Sequence, residues 1–247
     1  MMGRSNQNIN EELNEVFAEF TGIIIGDGHI GKNRAGGSFL FKIVGNPIDE
    51  IGYYSFVSLL LSKIIYKKIK PRLQDQGRSY GLLFGSNLLG KKLCELGIPF
   101  GKKSHKVIIP DRIYSDSKLN VACLRGIFDT DGCLTLKKRY RKIPYYPVIT
   151  IKSASRDLIL QISNILSQLK IQHSIALNQE SYDSRTNKIY VGHYVHINGF
   201  LNVSRWFKLI GTSHPKIKKK FKSIKSRIKL TTPRIQKHAK PILEMIN

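Results

Sequence analysis

FTGIIIGDG at residues 20–28 and LRGIFDTDG at residues 124–132 decide how this chain is read. The first copy runs Gly22-x-x-x-Gly26-Asp27-Gly28 and the second Gly126-x-x-x-Thr130-Asp131-Gly132. Small residues four apart share one helix face and let two backbones approach closely. A glycine after an apolar helical stretch reads as its C-terminal stop. Two such helices side by side would bring Asp27 and Asp131 together at a sheet surface. Adjacent carboxylates are costly unless a cation lies between them. Divalent metal is the natural candidate, and oxygen ligands suit Mg²⁺. Such a metal at a scissile phosphate activates water and stabilises the leaving oxygen.

A single Asp-Gly pair more often marks only a turn. The second copy changes that reading, because Asp27 and Asp131 stand 104 residues apart (131 − 27) within the same order of elements. Residues 26–31 also spell G-x-G-x-x-G, but the following KNRAGGSF cannot supply the helix that a dinucleotide site requires.

The repeat extends outward from the two motifs. In the first half, hydrophobic periodicity predicts a helix over 12–25 and strands over 29–32 and 39–44. A helix over 47–65, strands over 67–73 and 80–85 and a short helix over 88–96 follow. In the second half the same reading gives a helix over 117–130, strands over 133–139 and 146–152 and a helix over 156–170. Strands over 173–179 and 188–197 and a helix over 200–209 complete it. Each half is therefore α-β-β-α-β-β-α, an α+β class built as a tandem repeat. The expected organisation is a first subdomain over 1–100, a linker over 101–116 and a second subdomain over 117–247 ending in a basic tail from Pro215. The strands alternate an apolar with a polar or basic face, as antiparallel sheets do when helices cover one side only.

Charge narrows the function. Lys and Arg number 41 against 17 Asp and Glu, a net charge of +24 and a pI near 10.0. A core-forming chain with that excess points to a polyanion, nucleic acid first. A membrane surface is the weaker alternative, since no amphipathic basic anchor or lipidation motif is present. No segment reaches the roughly 18 apolar residues of a membrane span. The polar start MMGRSNQNINEE does not resemble a signal peptide. Cys94, Cys123 and Cys133 form no C-x-x-C pair and suggest a reducing compartment, the cytoplasm with its nucleoid in a prokaryote or else an organelle.

The two copies resemble the nine-residue signature of the LAGLIDADG homing endonucleases, in the two-motif monomeric form. Each keeps the third-position Gly, the apolar pair after it and the final Asp-Gly. The resemblance implies pseudo-twofold symmetry and two four-stranded antiparallel sheets forming a saddle on DNA, with the motif helices packed at the centre. It implies metal at Asp27 and Asp131, with the Gly26 and Thr130 carbonyls facing it. Mg²⁺ would be the working ion, with Mn²⁺ or Ca²⁺ able to take the same place. The sixth motif position is Asp129 in the second copy and Ile25 in the first, a departure at a position not implied to bind metal. A lysine that often follows the second strand of each half in this family maps onto Lys152 and implies a catalytic role in positioning water or balancing phosphate charge. The first half has Gly45–Asn46 there instead.

The resulting expectation is a site-specific endonuclease that cuts both strands of a long duplex site and leaves short 3′ overhangs. Lys42, Arg72, Arg78, Lys137, Arg139, Tyr146 and Arg185 are the expected DNA contacts from strands and their turns. His193 and His196 match no acid pair and are assigned to packing or DNA contact, and Trp206 to the core. An intron RNA maturase or a non-cleaving DNA-binding protein of the same fold are the rival readings. The start Met-Met and the end Met-Ile-Asn carry no intein splicing residues, which favours a free-standing or intron-encoded enzyme.

Overall fold

The computed structural model describes residues 13–32, 37–101, 103–139, 142, 144–184, 186–229 and 231–246. Its first half runs α1 (Glu15–Ile25), β1 (Gly28–Lys32), β2 (Phe39–Gly45), α2 (Ile51–Ile65), β3 (Arg72–Gln74), β4 (Ser79–Gly85) and α3 (Asn87–Glu95). After a single turn, α4 (Asp111–Tyr114), the order repeats. It is α5 (Ser117–Asp131), β5 (Gly132–Lys137), β6 (Tyr146–Ser153), α6 (Arg156–Gln168), β7 (Ser174–Asp183), β8 (Lys188–Asn198) and α7 (Phe200–Leu209). The tandem α-β-β-α-β-β-α expectation is therefore met.

Both sheets are antiparallel and four-stranded, ordered β1-β2-β4-β3 and β5-β6-β8-β7. In the first, Ile30 pairs with Phe41 and Phe41 with Phe84 in register. The two phenyl rings stack at 4.9 Å. Phe39, Phe41, Ile43, Leu82 and Phe84 are buried toward the helices, whereas Leu40 and Leu83 point the other way and are exposed. The second sheet buries Leu134, Ile149, Ile151, Val195 and Ile197 in the same manner. Period-two alternation thus gives each sheet one covered and one open face.

The chain packs as two compact units. One comprises residues 1–103 and 109–127, the other 104–108 and 128–247. The division falls inside α5, so the first eleven residues of the second motif helix pack with the first half. Small residues are the reason. A Cβ on Gly22 would press into the Cys123 carbonyl, 2.9 Å from its carbon, and a Cβ on Gly126 would stand 2.8 Å from the Ile23 amide nitrogen. Side chains there would hold α1 and this part of α5 apart. Glu19, nearly buried, and Arg125 close the same contact with an ion pair at 3.2 Å.

The basic tail from Pro215 is helical. It forms α8 (Pro215–Lys229), α9 (Pro233–His238) and α10 (Lys240–Ile246). Ile217, Phe221, Ile224 and Ile228 recur at helical spacing and are buried, which leaves the lysines on the opposite face. Phe221 stacks on Phe207 of α7 at 3.8 Å.

Candidate nuclease site

Asn14 starts α1 by accepting the Phe17 amide proton at 3.0 Å. The helix ends at Ile25, and Gly26 and Asp27 form a turn before β1. Asp27 is exposed. In the second copy the helix continues through Asp131, which is half-buried, and β5 begins at once.

The final motif glycines have a different reason from the one expected. Neither Gly28 nor Gly132 has a positive φ, so neither is a left-handed helix stop. Instead, a Cβ on Gly28 would stand 2.6 Å from the Ile24 Cα. A Cβ on Gly132 would run into the Phe128 carbonyl and ring. The strand leaves so close to the last helical turn that only glycine fits, which fixes each acid between a helix end and a strand start.

Asp27 and Glu50 both act on Tyr54. Burial, followed by the charges of Asp27 and Glu50, pushes the Tyr54 phenol far above its ordinary range. Glu50 accepts the Asn46 amide proton at 2.7 Å. An exposed carboxylate at the negative pole of a helix is a setting that suits a cation. Among the described residues no group of three or more His, Cys, Asp or Glu side chains is placed to hold a metal by itself. A metal here would rest on the motif acid, carbonyl oxygens and water.

Sequence reasoning missed Lys103. Its ammonium donates to the carbonyls of Ile24, Ile25 and Gly26, at 2.7 and 2.9 Å for the latter two. Lys103 thereby answers the unpaired carbonyls of the first motif helix and balances its dipole. The segment before it is fastened along β1: the Gly101 amide donates to Ile30 at 2.8 Å. Phe100 meets Phe39 edge-on at 6.3 Å, and Lys32 lies 4.8 Å above the Phe100 ring. Gly101 has φ +80°, a conformation that favours glycine. The usable signal was the pair Gly97 and Gly101 flanking Pro99, which marks an ordered turn rather than a linker. The Gly26 carbonyl, implied to face metal, is here shared with Lys103.

The second motif is secured in another way. Asp129 is buried; its carboxylate accepts the Thr212 hydroxyl, and the Ser213 amide at 2.8 Å. Phe128 meets the fully buried Trp206 at 4.8 Å, which places Trp206 in the core as expected.

Lys152 lies on the open face of β6, opposite Tyr194, with its ammonium 5.4 Å from that ring's centre. Lys42 projects from β2 and is held by Asp75. Arg72 is exposed on β3; Arg78 is also exposed, its guanidinium donating to the Asp75 carbonyl at 3.1 Å. Lys137 is exposed at the end of β5, in register with Tyr146. Arg139 has φ +47°, and its guanidinium lies 3.6 Å above the Tyr146 ring. Tyr146 also packs on Phe200 at 5.9 Å. Thr130 is half-buried in α5. Arg185 lies outside the described residues. His193 is buried and accepts the Asn178 amide at 3.0 Å beside a strand irregularity, a packing role. His196 stacks on Tyr194 at 5.8 Å and shares a hydrogen bond with the Thr150 hydroxyl; burial and then Lys137 lower its pKa.

These features define a class: a two-repeat α+β protein in which each repeat sets one carboxylate between a motif helix and an antiparallel sheet. Residues 118–211 match the family model described as a LAGLIDADG-like domain. The second repeat thus carries a LAGLIDADG-like domain, and the first repeats its motif and its order of elements.

Solved structures share the architecture. A variant of the homing endonuclease I-DmoI, in complex with its target DNA in the presence of Mn, superposes with a TM-score of 0.55 at 17% identity, covering 83% of this chain and 97% of that one. The I-LtrWI LAGLIDADG homing endonuclease bound to target DNA gives a TM-score of 0.55 at 14% identity, covering 96% and 99%. By sequence, the chain is 29% identical over 215 residues to the replication factor C small subunit of Methanocaldococcus jannaschii, covering 87% of this chain and 10% of the relative. The chain spans about a tenth of the length of the curated relatives it matches.

Proposed function

We propose that this chain is a site-specific DNA endonuclease that hydrolyses both strands of a long duplex site with divalent metal held by Asp27 and Asp131, leaving short 3′ overhangs. The observation that carries the reading is the duplicated helix end: two motif helices, each closing on an Asp-Gly at the start of an antiparallel sheet with an open face. The net charge of +24 supports a nucleic-acid partner. The likeness to DNA-bound homing endonucleases supports duplex DNA over other polyanions. The match to about a tenth of a much longer replication factor subunit supports a module that travels between host genes.

Mg²⁺ would supply an activated water and charge neutralisation at the scissile phosphate. The chain's own residues do the rest. Asp27 and Asp131 provide hard oxygen ligands, and the Thr130 carbonyl and the remaining lone pair of Gly26 lie next to them in sequence. Lys103 holds the end of α1 in place and adds positive charge where phosphate approaches. Lys152, Arg72, Lys137 and Arg139 bring charge to the open sheet faces, with Tyr146 under the Arg139 guanidinium. Phosphate contacts set register, and strand side chains read base edges.

The test is selection of bound duplexes from a randomised pool, followed by addition of Mg²⁺. The proposal predicts one extended consensus, cut on both strands at fixed bonds. An uncut consensus contradicts the nuclease reading. Tight binding of structured RNA with no duplex consensus would favour a maturase.

A further inference from the structure

Lys42 and Asp75 form a closed pair on the open face of the first sheet. The Lys42 ammonium donates to both Asp75 carboxylate oxygens, each at 2.8 Å, and Ser79 donates to the same carboxylate at 2.5 Å. The three residues that turn the chain between β3 and β4 all have positive φ: Asp75 at +49°, Gln76 at +58° and Gly77 at +84°. That turn folds the carboxylate back toward β2. In register, Lys42 lies between His29 on β1 and Leu83 on β4, and Leu83 is 51% exposed.

We infer that Asp75 is a positioning residue that makes Lys42 a reader of a base edge, with guanine as its target, rather than a phosphate contact. This rests on the DNA-binding reading above. An ammonium has three protons. Two go to Asp75, which leaves one for a ligand. A phosphate drawn to Lys42 would also approach the Asp75 carboxylate, and like charges repel. An uncharged acceptor meets no such penalty. Guanine presents two acceptors, O6 and N7, on its major-groove edge. The exposed Leu83 beside the ammonium suits a base edge better than a hydrated phosphate.

The experiment uses randomised DNA duplexes without added divalent metal, selected on the wild type, Asp75→Asn and Lys42→Met. Asparagine tolerates positive φ, so Asp75→Asn keeps the turn. The inference predicts a guanine at one position of the wild-type consensus that both variants no longer require. Replacing it with 7-deazaguanine, which lacks N7, should weaken wild-type binding about tenfold and either variant by less than about twofold. A salt titration on the selected duplex separates the two roles of a lysine. The double variant Lys42→Met/Asp75→Asn, which removes the pair without leaving an uncompensated carboxylate, should leave the slope unchanged, and Asp75→Asn alone should steepen it by up to about one, as a freed cation reaches phosphate. Uniform weakening of all sequences by the double variant, with the slope reduced by about one, overturns the inference. So does a consensus with no position relaxed by both variants. A wild type with no consensus overturns the proposed function, and the inference with it.

Discussion

The two motif copies share four of their nine residues, Gly22/Gly126, Ile23/Ile127, Asp27/Asp131 and Gly28/Gly132, and the protein holds them by opposite devices. In the first, α1 stops at Ile25 and a lysine from the segment after α3 reaches back to the helix carbonyls. In the second, α5 runs on to Asp131, and a carboxylate from the helix itself, Asp129, captures the segment after α7 through Thr212 and Ser213. Ile25 takes the place of Asp129 in the first copy; its side chain is buried, 3% exposed, and its carbonyl accepts from Lys103. In both halves, therefore, the closing segment returns to the end of the motif helix. The donor sits on the closing segment each time, but the acceptor is backbone in one half and side chain in the other. The shared requirement is a fixed acid, and the repeats have found separate ways to meet it.

The largest expected effect breaks what the two copies share. Gly22→Ala or Gly126→Ala would force the helices apart or distort them, at a cost of about 3 kcal/mol. Urea unfolding measures this directly, and a loss under about 0.5 kcal/mol for both variants would mean the helices are not in backbone contact. The second effect is confined to the second copy. Asp129→Ala leaves the Thr212 hydroxyl and Ser213 amide without their acceptor, a loss of about 2 kcal/mol. Asp129→Asn should recover part of it; equal losses would assign the effect to packing.

The third effect compares two lysines. Lys103→Met should cost about 1 kcal/mol at the end of α1. It should also slow single-turnover cleavage about hundredfold, as loss of a preorganised charge does. Lys152→Met, on the sheet face, should slow cleavage by about tenfold or less and act mainly on binding. The reverse ranking would return the catalytic role to Lys152.

Element order was legible because hydrophobic period reports helix and strand without tertiary knowledge. Where lengths differed, local chemistry decided. The strand expected from Lys67 begins only at Arg72, after a lysine-rich stretch and Pro71 that offer little to a sheet. Of the tail, only the charge was read, because its apolar residues are spread a helical turn apart among lysines. The stripe Ile217, Phe221, Ile224 and Ile228 was visible in the sequence and marked the helix. Of the site, the acids were legible because they recur. Lys103 was not, since nothing in one lysine of the Lys102–Lys103 pair shows that a glycine turn will carry it back 77 residues to Gly26 (103 − 26). The comparison of halves offers a route: Lys103 stands eight residues beyond α3, which ends at Glu95, and Lys216 stands seven beyond α7, which ends at Leu209. The Lys42–Asp75 pair was equally hidden, because sheet register and a run of positive φ bring the two together.

The central claim is that Asp27 and Asp131 do the chemistry rather than shape the fold. The most direct measurement is cleavage of the selected duplex in Mg²⁺ by Asp27→Asn and Asp131→Asn, beside their affinity for the same duplex without metal. Each variant is expected to lose double-strand cleavage by about a thousandfold or more while its affinity stays within about threefold of wild type. Wild-type cleavage by either variant would contradict the account.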